Sequence, residues 1–158
     1  MSSKPILALA MGDLAGISAE LTAKALADAE VRSAADILVV GDARVLAAGA
    51  KVANVPVDVA TWTPGTPAAF AGKPLLVDLG HADMKAVHTA RSLREGGQFA
   101  LANFRTVLRL AHLGAVGAAT FTPFNKLAMK LANGVYEDEL ATINEETHGE
   151  GQGREFNI

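Results

Sequence analysis

Short apolar runs of strand length alternate with helix-length amphipathic segments along most of the chain. Parallel strands need long crossovers, usually helical, so this alternation constrains the fold more than any other feature. The strand-like runs are Pro5 to Met11, Asp36 to Val40, Val55 to Trp62, Leu75 to Leu79 and Val116 to Phe121. Between them the sequence predicts a helix capped by Ser18 with Leu21, Ala25 and Ala29 on its buried face, and a second from the N-cap Asp42 to about Val52. A long helix follows from Gly97 to about Leu113, with Ala100, Phe104, Val107, Leu108 and Ala111 on one stripe and Gly114 ending it. The last starts near Asn125 and runs through about Leu131. Pro64, Gly65, Pro67, Gly72 and Pro74 mark residues 63 to 74 as a surface loop.

The expected fold class is therefore α/β: a parallel three-layer sheet domain over residues 1–133. The 31 alanines against 8 aromatic residues suit it, because small side chains let helices lie close on a sheet. Beyond residue 133 the character changes. Residues 137–158 hold seven acids and one base, a charge of −6 beside +3 for the rest. Glu155-Phe156-Asn157-Ile158 reads as the opening of a strand, so residues 134–158 are expected to be the start of a second domain or an inter-domain segment, with the fold truncated. Such a tail is expected to be mobile or docked on a neighbouring chain.

Several classes fall away. Without cysteine there are no disulfides and no thiolate zinc sites. The basic residues form no run with interleaved aromatics, so nucleic acid is not an expected partner. No apolar run has bilayer-crossing length, and Gly12-Asp13 interrupts the signal-like start, so no membrane partner is expected and the cytoplasm is the expected compartment.

Chemistry in open α/β sheets collects in the loops at the carboxyl ends of strands. Two such loops stand out. Gly12-Asp13-Leu14-Ala15-Gly16-Ile17 offers glycine backbone and a helix N-terminus to an anion, although its spacing is neither G-x-G-x-x-G nor a Walker A loop. The same glycines could simply permit a sharp turn, with Asp13 bonding backbone amides. Thr122-Pro123-Phe124-Asn125-Lys126 places a hydroxyl, an amide and an ammonium together, groups suited to a phosphate, a carboxylate or a nicotinamide carboxamide; alternatively, it is a helix start with Pro123 presetting φ and Asn125 capping. Glu137-Asp138-Glu139 could hold a cation or a substrate hydroxyl, or be an acidic first helical turn. His81, His88, His112 and His148 lack the helical spacing of a metal pair.

Taken together, these loops resemble a known family. Met11-Gly12-Asp13-Leu14-Ala15-Gly16-Ile17 with Glu20 is similar to the M-G-D-P-A-G-I-x-x-E signature of 4-hydroxythreonine-4-phosphate dehydrogenases and their catabolic relatives, with Leu14 in place of proline. Val39-Val40-Gly41-Asp42-Ala43 resembles their second strand and turn, Glu95-Gly96-Gly97 the start of their long helix, and Pro123-Phe124-Asn125-Lys126 their T-x-P-x-N-K loop. Where biosynthetic members read G-H-T-E this chain has Tyr136-Glu137-Asp138-Glu139, keeping the final Glu, a form closer to the catabolic branch.

The resemblance implies a fold like that of isocitrate and isopropylmalate dehydrogenases, a homodimer or higher self-association, and NAD-dependent oxidation of a small phosphorylated hydroxy acid assisted by a divalent metal. The implied substrates are 4-hydroxythreonine 4-phosphate or four-carbon sugar-acid phosphates of the erythronate or threonate type. Gly12, Asp13, Gly16, Asn125, Lys126 and Glu139 become the expected substrate- or cofactor-binding residues. The family's catalytic lysine and metal histidines are implied to lie beyond Ile158, which leaves this chain without a metal site and inactive alone. The alternatives are a non-catalytic phosphate- or nucleotide-binding domain and a flavodoxin-like regulatory domain with an acidic pocket begun by Asp13 and Asp42.

Overall fold

The computed structural model describes residues 4–133 and 142–143. Glu137 to Glu139, the Glu155 to Ile158 run and the rest of the acidic tail apart from Thr142 and Ile143 lie outside the described residues. The elements are β1 (Ile6–Ala10), α1 (Ser18–Ala27), α2 (Ala29–Ala34), β2 (Asp36–Gly41), α3 (Ala43–Ala53), β3 (Ala60–Thr61), β4 (Leu75–Asp78), α4 (Arg94–His112), β5 (Ala118–Phe121) and α5 (Lys126–Asn133).

The strands form one sheet in the order β3-β4-β2-β1-β5, with every pair parallel. Leu9 of β1 lies opposite Val39 of β2 and Thr120 of β5. Period-two alternation divides the strand side chains between two cores. Leu9, Met11, Ile37, Val39 and Leu76 face Ala19, Ala23 and Leu26 of α1 and Val45 and Leu46 of α3. Ala8, Ala10, Leu38, Val40, Leu75 and Val77 face Phe104, Val107 and Leu110 of α4. Because both faces are covered, the central strands are apolar on successive residues. Phe104, Phe121 and Phe124 close the second core at the β5 side, with Phe121 and Phe124 stacked at 4.3 Å between ring centroids.

The structure departs from the sequence reading along α1 and α2, at the third strand and at the start of α4. Ser18 is the first residue of α1 and caps nothing; Ile17 occupies the N-cap position. The inward face of α1 is Ser18, Ala19, Thr22, Ala23 and Leu26, in place of Leu21, Ala25 and Ala29. The cause is close helix packing: a Cβ on Gly49 of α3 would overlap the Ala19 backbone, so this approach admits only small side chains. Ala29 opens a separate helix, because Asp28 accepts hydrogen bonds from Glu30 and Val31 and restarts the chain.

The third strand shrinks to Ala60–Thr61 at the sheet edge. Val55, Val57 and Val59 pack against the first core without pairing as a strand, and Pro56 carries no amide to pair. Finally, α4 starts at Arg94 and takes Gly96 and Gly97 into its first turn. Gly97 is required there, since a Cβ would enter the Ala128 carbonyl of α5 and lie 2.8 Å from the Met129 nitrogen, while a Cβ at Gly96 would displace the Asp13 carboxylate. Around the predicted stripe, Phe99, Leu101, Asn103 and Leu110 are buried as well.

Candidate functional site

The Gly12 and Thr122 loops leave the adjacent strands β1 and β5 at the same edge of the sheet and are bonded to each other. Gly12 donates its amide to both Ser18 Oγ at 2.6 Å and Thr122 Oγ1 at 3.0 Å. Those two hydroxyls are 2.5 Å apart, and Thr22 Oγ1 lies 3.3 Å from Thr122 Oγ1. Asp13 donates its amide to the Pro123 carbonyl at 3.0 Å. A side chain on Gly12 would strike the Thr122 and Pro123 backbone, which explains the residue: close approach of two chain segments. The Asn103 amide, fully buried, donates to the Met11 carbonyl at 2.9 Å and holds the end of β1 from the α4 side.

This geometry divides the expected binding residues. Gly12 and Asp13 are buried and turned inward; Asp13 Oδ1 accepts the Ala15 amide at 2.9 Å and abuts Gly96 at the start of α4. Gly16 is half-buried, its amide bonded to the Asp13 carbonyl at 3.2 Å. Asn125 is half-buried and Lys126 exposed at the start of α5. Asn125 Oδ1 accepts the Ala128 amide at 3.1 Å, the side-chain cap that its position predicts. Glu139 lies outside the described residues.

A third segment, between β4 and α4, joins the edge. His88 and Ala90 donate their amides to the Leu14 and Ala15 carbonyls at 3.1 and 2.8 Å, both from left-handed backbone with φ of 55° and 54°. It brings Ser92 to Asn125, with Ser92 Oγ 3.0 Å from Nδ2 and 3.3 Å from Oδ1. Sequence reading missed Ser92; its position just ahead of the Glu95-Gly96-Gly97 helix start is the one signal that could have found it.

Beyond the end of β2, Asp42 organises the edge. Its carboxylate is 1% exposed and pairs with Arg44 Nη2 at 2.7 Å, while accepting the Arg44 and Ala82 amides at 2.9 and 3.0 Å. Burial alone would raise this carboxyl; the Arg44 side chain, those amides and the Arg44 charge outweigh it and hold the pKa at about 2. Asp42 is thus spent on internal bonds, as Asp13 is, and the two do not open an acidic pocket. His81 stacks on Phe99 at 4.9 Å, and burial lowers its pKa against the opposing pull of the Phe99 backbone, Asp42 and Asp78.

Among the described residues no three His, Cys, Asp or Glu side chains converge as metal ligands, and no helix is long and apolar enough to cross a membrane. The Gly12 and Ala15 amides, already bonded, do not form a pyrophosphate cradle. The described residues therefore fit neither a metal nor a dinucleotide pyrophosphate on their own.

Comparison with known proteins supplies the rest. The chain is 45% identical over 156 residues to a provisionally named 4-hydroxythreonine-4-phosphate dehydrogenase of Rhizobium meliloti, covering 98% of this chain and 45% of that protein. By sequence it is a relative of the 4-hydroxythreonine-4-phosphate dehydrogenases. A provisionally named D-threonate 4-phosphate dehydrogenase of Symbiobacterium thermophilum is 34% identical over 133 residues, covering 84% of this chain and 40% of that one. The crystal structure of 4-hydroxythreonine-4-phosphate dehydrogenase from Klebsiella pneumoniae superposes with a TM-score of 0.79 at 25% identity, over 94% of this chain and 45% of that one. No family model matches. The chain thus spans about half the length of these dehydrogenases, and the parallel α/β fold expected from its sequence is shared with the Klebsiella structure over the matched part.

Proposed function

We propose that this chain supplies one wall of the cleft of a dehydrogenase acting on a small phosphorylated hydroxy acid, of the 4-hydroxythreonine 4-phosphate or of the erythronate or threonate 4-phosphate type. The observation that carries the reading is the convergence of the Gly12 and Thr122 loops at the carboxyl edge of a parallel sheet, in a chain related to dehydrogenases of such compounds. A reaction of this class transfers hydride to NAD with a divalent metal stabilising the developing alkoxide, and the described residues by themselves fit neither group.

The residues present do something narrower. Gly12, Ser18, Thr22 and Thr122 fix the two loops against each other and exclude water between them. Lys126 brings a positive charge and Asn125 amide hydrogens to the edge, so these two contact an anionic oxygen of the substrate. The partner class is a small phosphorylated molecule, the compartment the cytoplasm, and the assembly a homodimer or larger.

An NMR titration of the folded chain with inorganic phosphate tests the anion contact. Saturable shifts centred on Asn125 and Lys126, weakened by Lys126→Ala, are expected; shifts that do not saturate, or that centre elsewhere, overturn it.

A further inference from the structure

We propose that Ser92 is a positioning residue for Asn125, holding its amide in place while the Ala128 N–H keeps Oδ1 on the helix and leaves an Nδ2 hydrogen for the ligand. The inference rests on the assignment of Asn125 to anion contact made above. A primary amide has two near-identical ends, and an amide free to flip would present a donor or an acceptor with similar ease. Here both ends are committed. Oδ1 faces the α5 backbone, where it accepts from Ala128 at 3.1 Å, and one Nδ2 hydrogen points to Ser92 Oγ at 3.0 Å. A flipped amide would set its NH2 group against the Ala128 N–H, donor against donor, and lose that bond, while the Ser92 hydroxyl, donor and acceptor alike, holds the amide in place at its other end.

The consequence is chemical selectivity. With Oδ1 engaged, the groups left for a ligand are the second Nδ2 hydrogen and, whenever the Ser92 hydroxyl turns away from Oδ1, its proton. Both are donors, so the pair suits an acceptor such as a phosphate or carboxylate oxygen. Ser92 reaches this place because its segment is anchored independently, through the His88 and Ala90 amides on the Leu14 and Ala15 carbonyls. The segment before α4 thereby connects the Gly12 loop to the amide of the Thr122 loop, and Ser92 is its last half-buried polar contact before the helix.

A double-mutant cycle on phosphate binding, read by amide-resolved NMR, tests this. Ser92→Ala is expected to weaken inorganic phosphate binding about fivefold, the scale of one neutral hydrogen bond. It should also shift the Asn125 side-chain NH2 signals in the absence of phosphate. Ser92→Thr, which keeps the hydroxyl, should stay within about twofold of the parent. In the Asn125→Ala background Ser92→Ala should have no further effect. Wild-type affinity in Ser92→Ala, or an equal loss in the Asn125→Ala background, overturns the positioning role. If Asn125→Ala itself binds phosphate normally, the anion contact fails instead, and the Asn125 NH2 signals of Ser92→Ala identify which statement was wrong. Should Ser92→Ala not fold, Ser92→Cys, whose thiol is a weak hydrogen-bond partner, replaces it with the same expected loss.

Discussion

Replacing Asp42 by Asn removes one charge from the middle of the carboxyl edge while preserving shape. In the folded chain the carboxyl has a pKa of about 2 against an ordinary 3.8. At about 1.36 kcal/mol per unit, this makes the ionised form worth about 2 kcal/mol of stability. Because the folded pKa is the lower one, that contribution is present above the unfolded value and is lost as pH falls from 3.8 towards about 2. The Asp42 side chain is 1% exposed but its Arg44 partner is about half exposed, so solvent screens part of the full shift and about 2 kcal/mol is the upper end. The amide introduced by Asp42→Asn cannot accept the Arg44 guanidinium with both atoms, and its NH2 would oppose either the Arg44 or the Ala82 amide. Urea unfolding of both proteins, followed by circular dichroism from neutral pH downward, should show the variant less stable near neutrality by up to about 2 kcal/mol. The gap should close only in the acid window; taking the difference cancels every other carboxylate. Two parallel stability curves, or a gap that closes near neutral pH, would refute the assignment of this stability to the Asp42 charge.

Other outcomes follow from the same geometry. Thr122→Val leaves Gly12 and Ser18 without their shared hydroxyl and should cost about 1–3 kcal/mol in a thermal or urea melt, where an unchanged midpoint would contradict the bonding described. Gly97→Ala pushes a methyl into the Ala128 carbonyl and should reach or exceed the upper end of the about 1–3 kcal/mol typical of overpacking, against a near-neutral effect if α4 and α5 can part. His81 should titrate below 6.5 by NMR, and its stabilising effect should fade as pH falls below that value; a midpoint above it would show that the ring is not desolvated against Phe99. Supplied with NAD, a divalent metal and 4-hydroxythreonine 4-phosphate or erythronate 4-phosphate, the chain alone should form no NADH above a heat-killed control, and metal-dependent formation would place the catalytic groups within these residues.

The sheet was legible because apolar runs such as Asp36–Gly41 and Leu75–Asp78 are buried on both faces and leave an unmixed signal. Asp42 as N-cap was legible for a local reason, a carboxylate reaching the amide two residues on. What failed depended on partners distant in sequence. The rotation of α1 follows from its close approach to Gly49 of α3, and the glycine at 97 from the Ala128 backbone, neither of which is visible within a helical window. The site divides the same way: Thr122 and Asn125 stand out by chemistry, whereas Ser92 matters only because the chain returns it to Asn125.

That the first strand pairs with the last described one has a bearing on how the protein reaches its fold. β1 and β5 join residues separated by about 110 positions, and the amide of Gly12 finds the Thr122 hydroxyl across the same span. On a ribosome, β1, β2 and β4 can assemble early, but the loop edge stays incomplete until Thr122 has emerged. Until then the Gly12 amide lacks one of its two acceptors and β1, paired with β2 on one side, is an open edge on the other. Closure of the candidate site and closure of the sheet are one late event, and slow, long-range pairing of β5 on β1 is the step that completes both.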